Sequence, residues 1–251
     1  MSHQEETLIT VQQEQMLKLV TKSFYNELIK YGVNEAQVIA VAGHLLDNLL
    51  KKNGSLNNHT EYYNRLFTLK DLQDDWAVAK RLTIQDVSIS PLDLDLVPLI
   101  SLWLREPAIR ESFHPGFPDS EAELYRHFCV GTREYFAIFN QQDVVGIIGA
   151  ENVDTASAKL EMRKLVGDRQ MHGKGIGKRA TFLFLYYVFV IRKFKKVYLH
   201  SMDCNIRNLN INRRFGFELE GFFLEDTTIQ NKRLDVVRMA LSDSVWLNLF
   251  S

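Results

Sequence analysis

A short segment rich in glycine carries the residues whose types and spacing are the most informative about chemistry. It runs QMHGKGIGK over residues 170–178, with glycine at 173, 175 and 177, and it follows the strand-like stretch LEMRKLV. A strand that turns through three glycines into a helix points several backbone N–H groups at one place, and no side chain blocks an anion from approaching. The segment therefore predicts a phosphate-binding loop, with an ordinary glycine-rich turn as the alternative.

Two other phosphate-binding motifs fit this segment poorly. The dinucleotide-binding motif needs G-x-G-x-x-G early in a βαβ unit and an acidic residue about 20 residues later. Here the glycines are two residues apart, and basic residues occupy the region 193–196. The P-loop needs a GK[ST] sequence after its first glycine, which this segment lacks. The motif that the segment does match is Q-x-x-G-x-G, formed by Gln170, Gly173 and Gly175.

Three motifs in order give this chain a resemblance to a known family. The Q-x-x-G-x-G loop is followed by NIRN at 205–208 with RFGFELEG at 214–221, and then by LDVVRM at 234–239. Together they resemble the GNAT superfamily of N-acetyltransferases over about residues 80–246. The stretch REPAIR at 105–110 resembles the branch that acetylates ribosomal proteins, spermidine and nucleotide-linked amino sugars.

The resemblance implies a fold, an acyl donor and a set of cofactor-binding residues. The fold is α/β, a mixed and mostly antiparallel central sheet flanked by helices, and the donor is acetyl-CoA, with no metal. The end of the strand before the loop is expected to meet the pantetheine arm, and the loop amides to meet the pyrophosphate. The cofactor-binding residues expected are Leu165, Val166, Gln170, His172, Gly173, Lys174, Gly175, Ile176, Gly177, Lys178, Asn205 and Asn208.

Acetyl transfer to an amine requires a proton acceptor, because an alkylammonium has a pKa near ~10. Glu161 stands where the family often carries a glutamate, so it is the expected general base, and an ion-paired carboxylate beside Arg163 is the alternative. Many relatives supply a tyrosine for the departing thiol, but this chain has Asn212 there. An amide donates a hydrogen bond but is no proton source, so thiol release through water is the alternative.

The acceptor pocket is expected beside the loop that contains residues 113–119. The candidate substrate-binding residues are Phe113, His114 and Phe117, and an ordinary connecting loop is the alternative. The resemblance predicts transfer of an acetyl group to a primary amine, and we favour a small molecule such as a nucleotide-linked amino sugar. A protein N-terminus and a polyamine are the alternative acceptors. A CoA-binding sensor or interaction module without catalysis is the alternative from another class.

The composition limits the partners. The 251 residues have a formal net charge of −1, which argues against a general binder of nucleic acid or of an anionic membrane. Cys129 and Cys204 are too few for a disulfide framework, so we expect a reducing cytoplasm. The most apolar run, residues 181–191, is shorter than the ~20 residues of a membrane helix, so we expect it to form a buried helix.

The first part of the chain is predicted to be helical. Apolar residues recur at helical spacing over about 7–31 and again over about 34–52. We expect a helical region at 1–78 and an acetyltransferase-like domain at 79–251, whose first strand lies at 81–90. Thr68 is expected to cap the start of a helix, with Asp71 three residues later. The helical region is either a homodimer or partner surface or a helical cap on the main domain.

Overall fold

The computed structural model describes residues 3–30, 32–34, 38, 67–110, 113, 117–202, 206–229 and 232–251. The chain divides into two compact units, Met1–Thr60 and Glu61–Ser251. In the first unit, helix α1 at His3–Lys30 confirms the first predicted helix. Most of the second predicted helix, over 34–52, lies outside the described residues. The predicted domain boundary after residue 78 stays a prediction.

The second unit is built on a sheet of nine strands. They are β1 Leu72–Asp75, β2 Arg81–Ile84, β3 Val87–Pro91, β4 Glu134–Asn140, β5 Asp143–Asp154, β6 Lys159–Val166, β7 Lys196–Met202, β8 Glu218–Ile229 and β9 Lys232–Ser242. Their order across the sheet is β1-β2-β3-β4-β5-β6-β7-β9-β8. Neighbours are antiparallel, except that β6 and β7 are parallel. The mixed, mostly antiparallel sheet confirms the predicted fold class.

Helices connect and cover these strands. They are α2 Trp76–Ala79, α3 Val97–Leu104, α4 Pro107–Arg110, α5 Glu121–Phe128, α6 Ile176–Tyr186, α7 Ile206–Arg214 and α8 Asp243–Phe250. A π-helical turn at Tyr187–Ile191 continues α6, so the apolar run at 181–191 is helical, as predicted. Within the described part of the chain, no helix has the length and apolarity that a bilayer crossing needs.

The start of the sheet differs from the prediction in two ways. The strand predicted over 81–90 is a hairpin, because Gln85 takes a left-handed φ of 55° and turns β2 back onto β3. Thr68 was predicted to begin a helix, and its amide and hydroxyl do both contact the Asp71 carboxylate. That turn is only the 3₁₀ segment Leu69–Asp71, and it leads into β1 at the sheet edge.

Strand β6 contributes to the cores on both faces of the sheet. Leu160 and Met162 belong to the larger core, which contains α6, and Leu165 belongs to the smaller core under α3 and α5. Side chains alternate between the two faces of a strand, so Glu161 and Arg163 lie on the same face as Leu165. Strand β6 thus separates two layers that can carry different chemistry.

Candidate active site

The sheet opens between its two central parallel strands. Strands β6 and β7 are paired only at Lys159–Lys196, Leu160–Val197 and Glu161–Tyr198. Beyond that point β6 stays paired with β5 and β7 with β9, up to Val166 and Met202. The backbone groups that face the opening are therefore not used in this ladder, and the opening leads to the glycine-rich loop.

The glycine-rich loop is shaped by its backbone. Asp168 accepts a hydrogen bond from the amide of Gln170 at 2.9 Å and caps the 3₁₀ turn Arg169–Met171. Gly173 and Gly175 follow with φ of 82° and 79°. These are left-handed conformations that a residue with a Cβ rarely adopts. The spacing of the two glycines thus fixes the path of the chain into α6.

The beginning of α6 presents free backbone donors. Its N-cap is Gly175, which has no side chain to cap the helix. Among the described residues, no backbone acceptor bonds the amides of Gly173, Ile176 or Gly177. A Cβ added to Gly173 would meet no atom within 4 Å, so the space above the loop is open. A helix N-terminus with free amides favours an anion, and these residues fit the pyrophosphate of CoA.

Several predicted cofactor-binding residues have contacts of their own. The Nε2 of His172 donates to the carbonyl of Val166 at 2.8 Å, because a carbonyl can only accept. The Lys174 carbonyl accepts from Arg179 at 3.2 Å. Of the remaining predicted residues, Asn205 lies outside the described residues, and Asn208 lies on α7 with no described side chain. The roles given to all of these residues stay predictions.

A half-buried lysine with an enclosed ammonium group lies under the first turn of α6, and sequence analysis missed it. Lys164 donates from Nζ to the hydroxyl of Thr181 at 2.7 Å, and Thr181 donates to the carbonyl of Gly177. Burial lowers the pKa of Lys164 to about 8. The alternation of side chains along β6 places Lys164 on the face opposite to that of Glu161. How deeply the lysine is buried depends on how α6 packs over that face.

Glu161 lies at the opening, at the last β6–β7 pair, and is 2% exposed. Its Oε2 accepts from the Asn152 amide at 2.8 Å, and its Oε1 lies 2.9 Å from Arg163 Nη2 and 3.1 Å from His200 Nδ1. Burial raises the pKa of Glu161, but the hydrogen bond from His200 and the charge of Arg163 outweigh burial and hold the pKa below its usual value. The ion pair with Arg163 is the alternative that the sequence left open, and the base role stays a prediction.

A second buried carboxylate stands beside Glu161 on the neighbouring strand. Glu151 is directly opposite Glu161 in the β5–β6 register, and Arg163 Nε lies 3.4 Å from its Oε2. Like charges opposite each other destabilise a sheet. The positive charge of Arg163, which lies beside both carboxylates, offsets their repulsion. The Oε1 of Glu151 lies 2.7 Å from His127 Nε2 and accepts from the Tyr135 hydroxyl at 2.6 Å.

The contacts of Glu151 control its ionisation. Burial raises the pKa of Glu151, but the hydrogen bonds from His127 and Tyr135 and the charge of Arg163 lower it to about 2. Sequence analysis missed this cluster, because its members lie 16 and 24 residues from Glu151 on β4 and α5. No local spacing brings them together.

The remaining predicted site residues are placed as follows. Asn212 on α7 is 1% exposed, and within the described part of the chain its Oδ1 has no hydrogen-bond partner. Phe113 and Phe117 pack edge to face with ring centroids 4.9 Å apart, and Phe117 also packs on His127. The third predicted acceptor residue, His114, lies outside the described residues. The roles of these four residues stay predictions.

The sheet with its opening, the glycine-rich loop and the sequence motifs agree with one family. The model of the acetyltransferase (GNAT) domain matches residues 81–218. The chain belongs to the GNAT acetyltransferase family. It is an N-acetyltransferase that uses acetyl-CoA, and the loop and opening described above lie within or beside the matched residues.

Relatives of this acetyltransferase have named activities. The spermidine N(1)-acetyltransferase of Vibrio cholerae is 27% identical over 152 residues, which are 60% of this chain and 83% of that protein. The spermidine N(1)-acetyltransferase of Escherichia coli K12 is 22% identical over 58% of this chain and 74% of that protein.

A solved structure has the same fold. The spermidine N-acetyltransferase from Vibrio cholerae in complex with CoA and spermine is similar with a TM-score of 0.59 and 23% identity. The similarity covers 65% of this chain and 99% of that chain. At this identity the likeness concerns the fold alone.

Proposed function

We propose that this acetyltransferase moves the acetyl group of acetyl-CoA to a primary amine of a polyamine of the spermidine and spermine class. Two relatives with this activity by name support the acceptor class. The preference for a nucleotide-linked amino sugar receives no support from them. The observation that carries the transfer itself is the opening between β6 and β7, which lies between Glu161 at the last strand pair and the loop with its free amides at the end of β6.

The donor half of the site is assigned to the loop and the end of β6. In this proposal the amides of Gly173, Ile176 and Gly177 bind the pyrophosphate, and the dipole of α6 adds about 0.3 to 1 kcal/mol of preference for an anion. Leu165 and Val166 border the pantetheine arm. The carbonyl of Val166 already accepts from His172, so a pantetheine amide that uses it shares that acceptor or displaces the imidazole.

The acceptor half is assigned to the face of the sheet that carries Glu161. Its carboxylate is ionised and accepts from three donors, which makes it a weak direct base. Any acid–base role of Glu161 is therefore exercised through a neighbour. Phe113 and Phe117 lie on the same face and are the proposed walls of the acceptor pocket.

One observation favours a less cationic acceptor as a second candidate. Arg163 compensates both Glu151 and Glu161, so these two carboxylates offer little net negative charge to a polycation. An amine on a neutral or anionic carrier, such as a nucleotide-linked amino sugar, suits this charge balance better. The two candidates predict opposite orders of acceptor activity.

An acceptor panel separates the candidates. The rate of thiol release from acetyl-CoA is measured with spermidine, spermine, a nucleotide-linked amino sugar and a peptide that begins with alanine. We expect kcat/KM for spermidine or spermine at least about tenfold above the other acceptors. A higher value for the amino sugar or the peptide contradicts the polyamine proposal. Binding of acetyl-CoA without release by any acceptor indicates a CoA-binding module.

The N-terminal helical region is proposed as a homodimer or partner contact. Leu17, Val20 and Phe24 follow one another at helical spacing on α1 and are 61%, 47% and 36% exposed, and a contiguous exposed apolar stripe is typical of an interaction surface. Light scattering of the whole chain should give the mass of a dimer, and a monomer contradicts self-association. The cytoplasmic location stays a prediction.

A further inference from the structure

We propose that His200, oriented by Glu161, accepts the proton of the acceptor amine through its Nε2 atom. The proposal deepens the function proposed above and rests on it. Sequence analysis gave this histidine no role, and the structure places it directly at the opening.

The register puts His200 across the opening from Glu161. Tyr198 is the partner of Glu161 in the last β6–β7 pair, and His200 follows two residues later on the same face of β7. Its Nδ1 lies 3.1 Å from Glu161 Oε1 on the other strand. The contact therefore bridges the two strands at the point where their pairing stops.

The hydrogen bond fixes which ring nitrogen is free. Glu161 is ionised, so its oxygen can only accept, and Nδ1 of His200 must carry the proton. The other nitrogen, Nε2, then has a lone pair, and no described residue donates to it. A carboxylate that holds Nδ1–H in this way orients the ring and fixes its tautomer.

The surroundings leave the free nitrogen accessible. The His200 side chain is 25% exposed, while that of Glu161 is 3% exposed. The ring packs edge to face against Tyr198 and Phe223, each with centroids 5.6 Å apart. These contacts restrict the ring without covering it.

The charged groups around His200 come from the two strands beside β7. Glu161 and Arg163 face it from β6. From β9, Arg238 is its partner in the strand register, and the Arg238 guanidinium lies over the Tyr198 ring at 3.9 Å. Imidazole is the side chain whose ordinary pKa lies closest to neutral pH, which suits a general base.

The proposed step moves the acetyl group and two protons. The acceptor ammonium gives one proton to Nε2, directly or through one water, and the amine lone pair then attacks the thioester carbonyl carbon. The C–N bond forms, the C–S bond breaks, and the sulfur leaves as the thiolate. A second proton from the amine nitrogen neutralises the thiolate, and imidazolium returns its proton to solvent. Glu161 touches none of the reacting atoms and is a positioning residue.

The test uses two substitutions at His200 and one matched control. In H200N the amide can still donate to Glu161 but has no basic nitrogen, and H200A removes both functions. The control H127Q changes another histidine that contacts a buried glutamate on this face, because His127 contacts Glu151 through Nε2. For each variant kcat/KM is measured from pH 7 to pH 10, and the Kd for acetyl-CoA is measured by calorimetry.

We expect H200N to lower kcat/KM by about 10² to 10³ at pH 7, with the Kd for acetyl-CoA within about twofold. The loss should shrink to less than about tenfold near pH 10, where the amine loses its proton to water. H127Q should leave the shape of the pH profile unchanged. Activity of H200N within about threefold of the wild type at pH 7, or a loss that is constant with pH, overturns the proposal.

A second measurement does not depend on which amine is the substrate. Nitrogen-15 NMR of histidine-labelled protein reports the tautomer, and we expect the proton of neutral His200 on Nδ1. A proton on Nε2 overturns the role of His200 even if the polyamine assay succeeds. If an amine other than a polyamine is acetylated, the acceptor proposal fails, and the H200N comparison is made with that amine.

Discussion

In the proposed site, the two faces of strand β6 carry a donor half and an acceptor half that are built in different ways. On the donor side, the free amides of Gly173, Ile176 and Gly177 come from one continuous segment, and their geometry depends on two glycines with positive φ. On the acceptor side, Glu151, Arg163 and His200 come from three strands and meet through side chains. A site made from backbone needs only a local sequence, whereas a side-chain network needs the whole fold.

The largest expected effect tests the donor side. Aspartates at 173 and 175, in the double variant G173D/G175D, place two carboxylates where an anion should bind and strain a left-handed backbone. We expect the Kd for acetyl-CoA to rise at least about 100-fold by calorimetry. The control G131D adds a carboxylate at an exposed turn where a Cβ meets nothing within 4 Å. Unchanged affinity in the double variant would remove the loop from cofactor binding.

A second prediction concerns Gly167, which joins the end of β6 to the glycine-rich loop. Gly167 follows β6 directly, and a Cβ there would lie 2.0 Å from the Trp103 ring on α3. We expect G167A to lower the free energy of unfolding by about 2 to 3 kcal/mol, because a well-packed core resists extra volume. The measurement is urea denaturation, with G131A as the matched control. A difference below about 0.5 kcal/mol would show that Trp103 is not packed tightly at this junction.

A third prediction isolates the buried cation on the donor side. Burial lowers the pKa of Lys164 to about 8 from 10.5, so the unfolded chain binds the proton more strongly. The cost of burying the ammonium is complete below pH 8 and disappears as the pH rises to about 10.5. K164M should therefore stabilise the protein without ligand by on the order of 1 to 3 kcal/mol at pH 7.

The pH dependence provides the check on Lys164. The stability difference between K164M and the wild type, from thermal unfolding, should decrease between pH 8 and pH 10. A difference that is the same at both pH values would mean that packing of the methionine, and not the charge, causes it.

The smallest expected effect concerns the acceptor-side network. The pKa of Glu151 is lowered to about 2 from 4.5, so its stabilisation is complete above pH 4.5 and is lost as the pH falls toward 2. Y135F removes one hydrogen bond to this carboxylate and should cost about 1 kcal/mol at pH 7. It should also make stability less dependent on pH in that window.

Acid unfolding monitored by circular dichroism checks this prediction for Y135F. The control is Y125F on the exposed side of α5. Equal acid sensitivity of Y135F and the wild type would mean that the Tyr135 hydroxyl does not hold the charge of Glu151.

The same contrast explains what the sequence could predict. The loop was predicted from the spacing of its glycines, helix α1 from its apolar periodicity, and α6 from a continuous apolar run. The hairpin at Gln85 was missed, because a glutamine with positive φ has no sequence signal as strong as a glycine. His200 and Tyr135 were missed because their partners, Glu161 and Glu151, lie 39 and 16 residues away in the sequence. Only the register of the strands brings each pair into contact.

The measurement that tests this account most directly is a calorimetric titration with acetyl-CoA, paired with kcat for spermidine, on G173D/G175D and H200N side by side. If the loop binds the cofactor and His200 accepts the proton, the loop variant loses affinity for acetyl-CoA, and H200N keeps that affinity and loses turnover at pH 7. Loss of acetyl-CoA affinity by H200N to the same extent as by the loop variant would contradict the division.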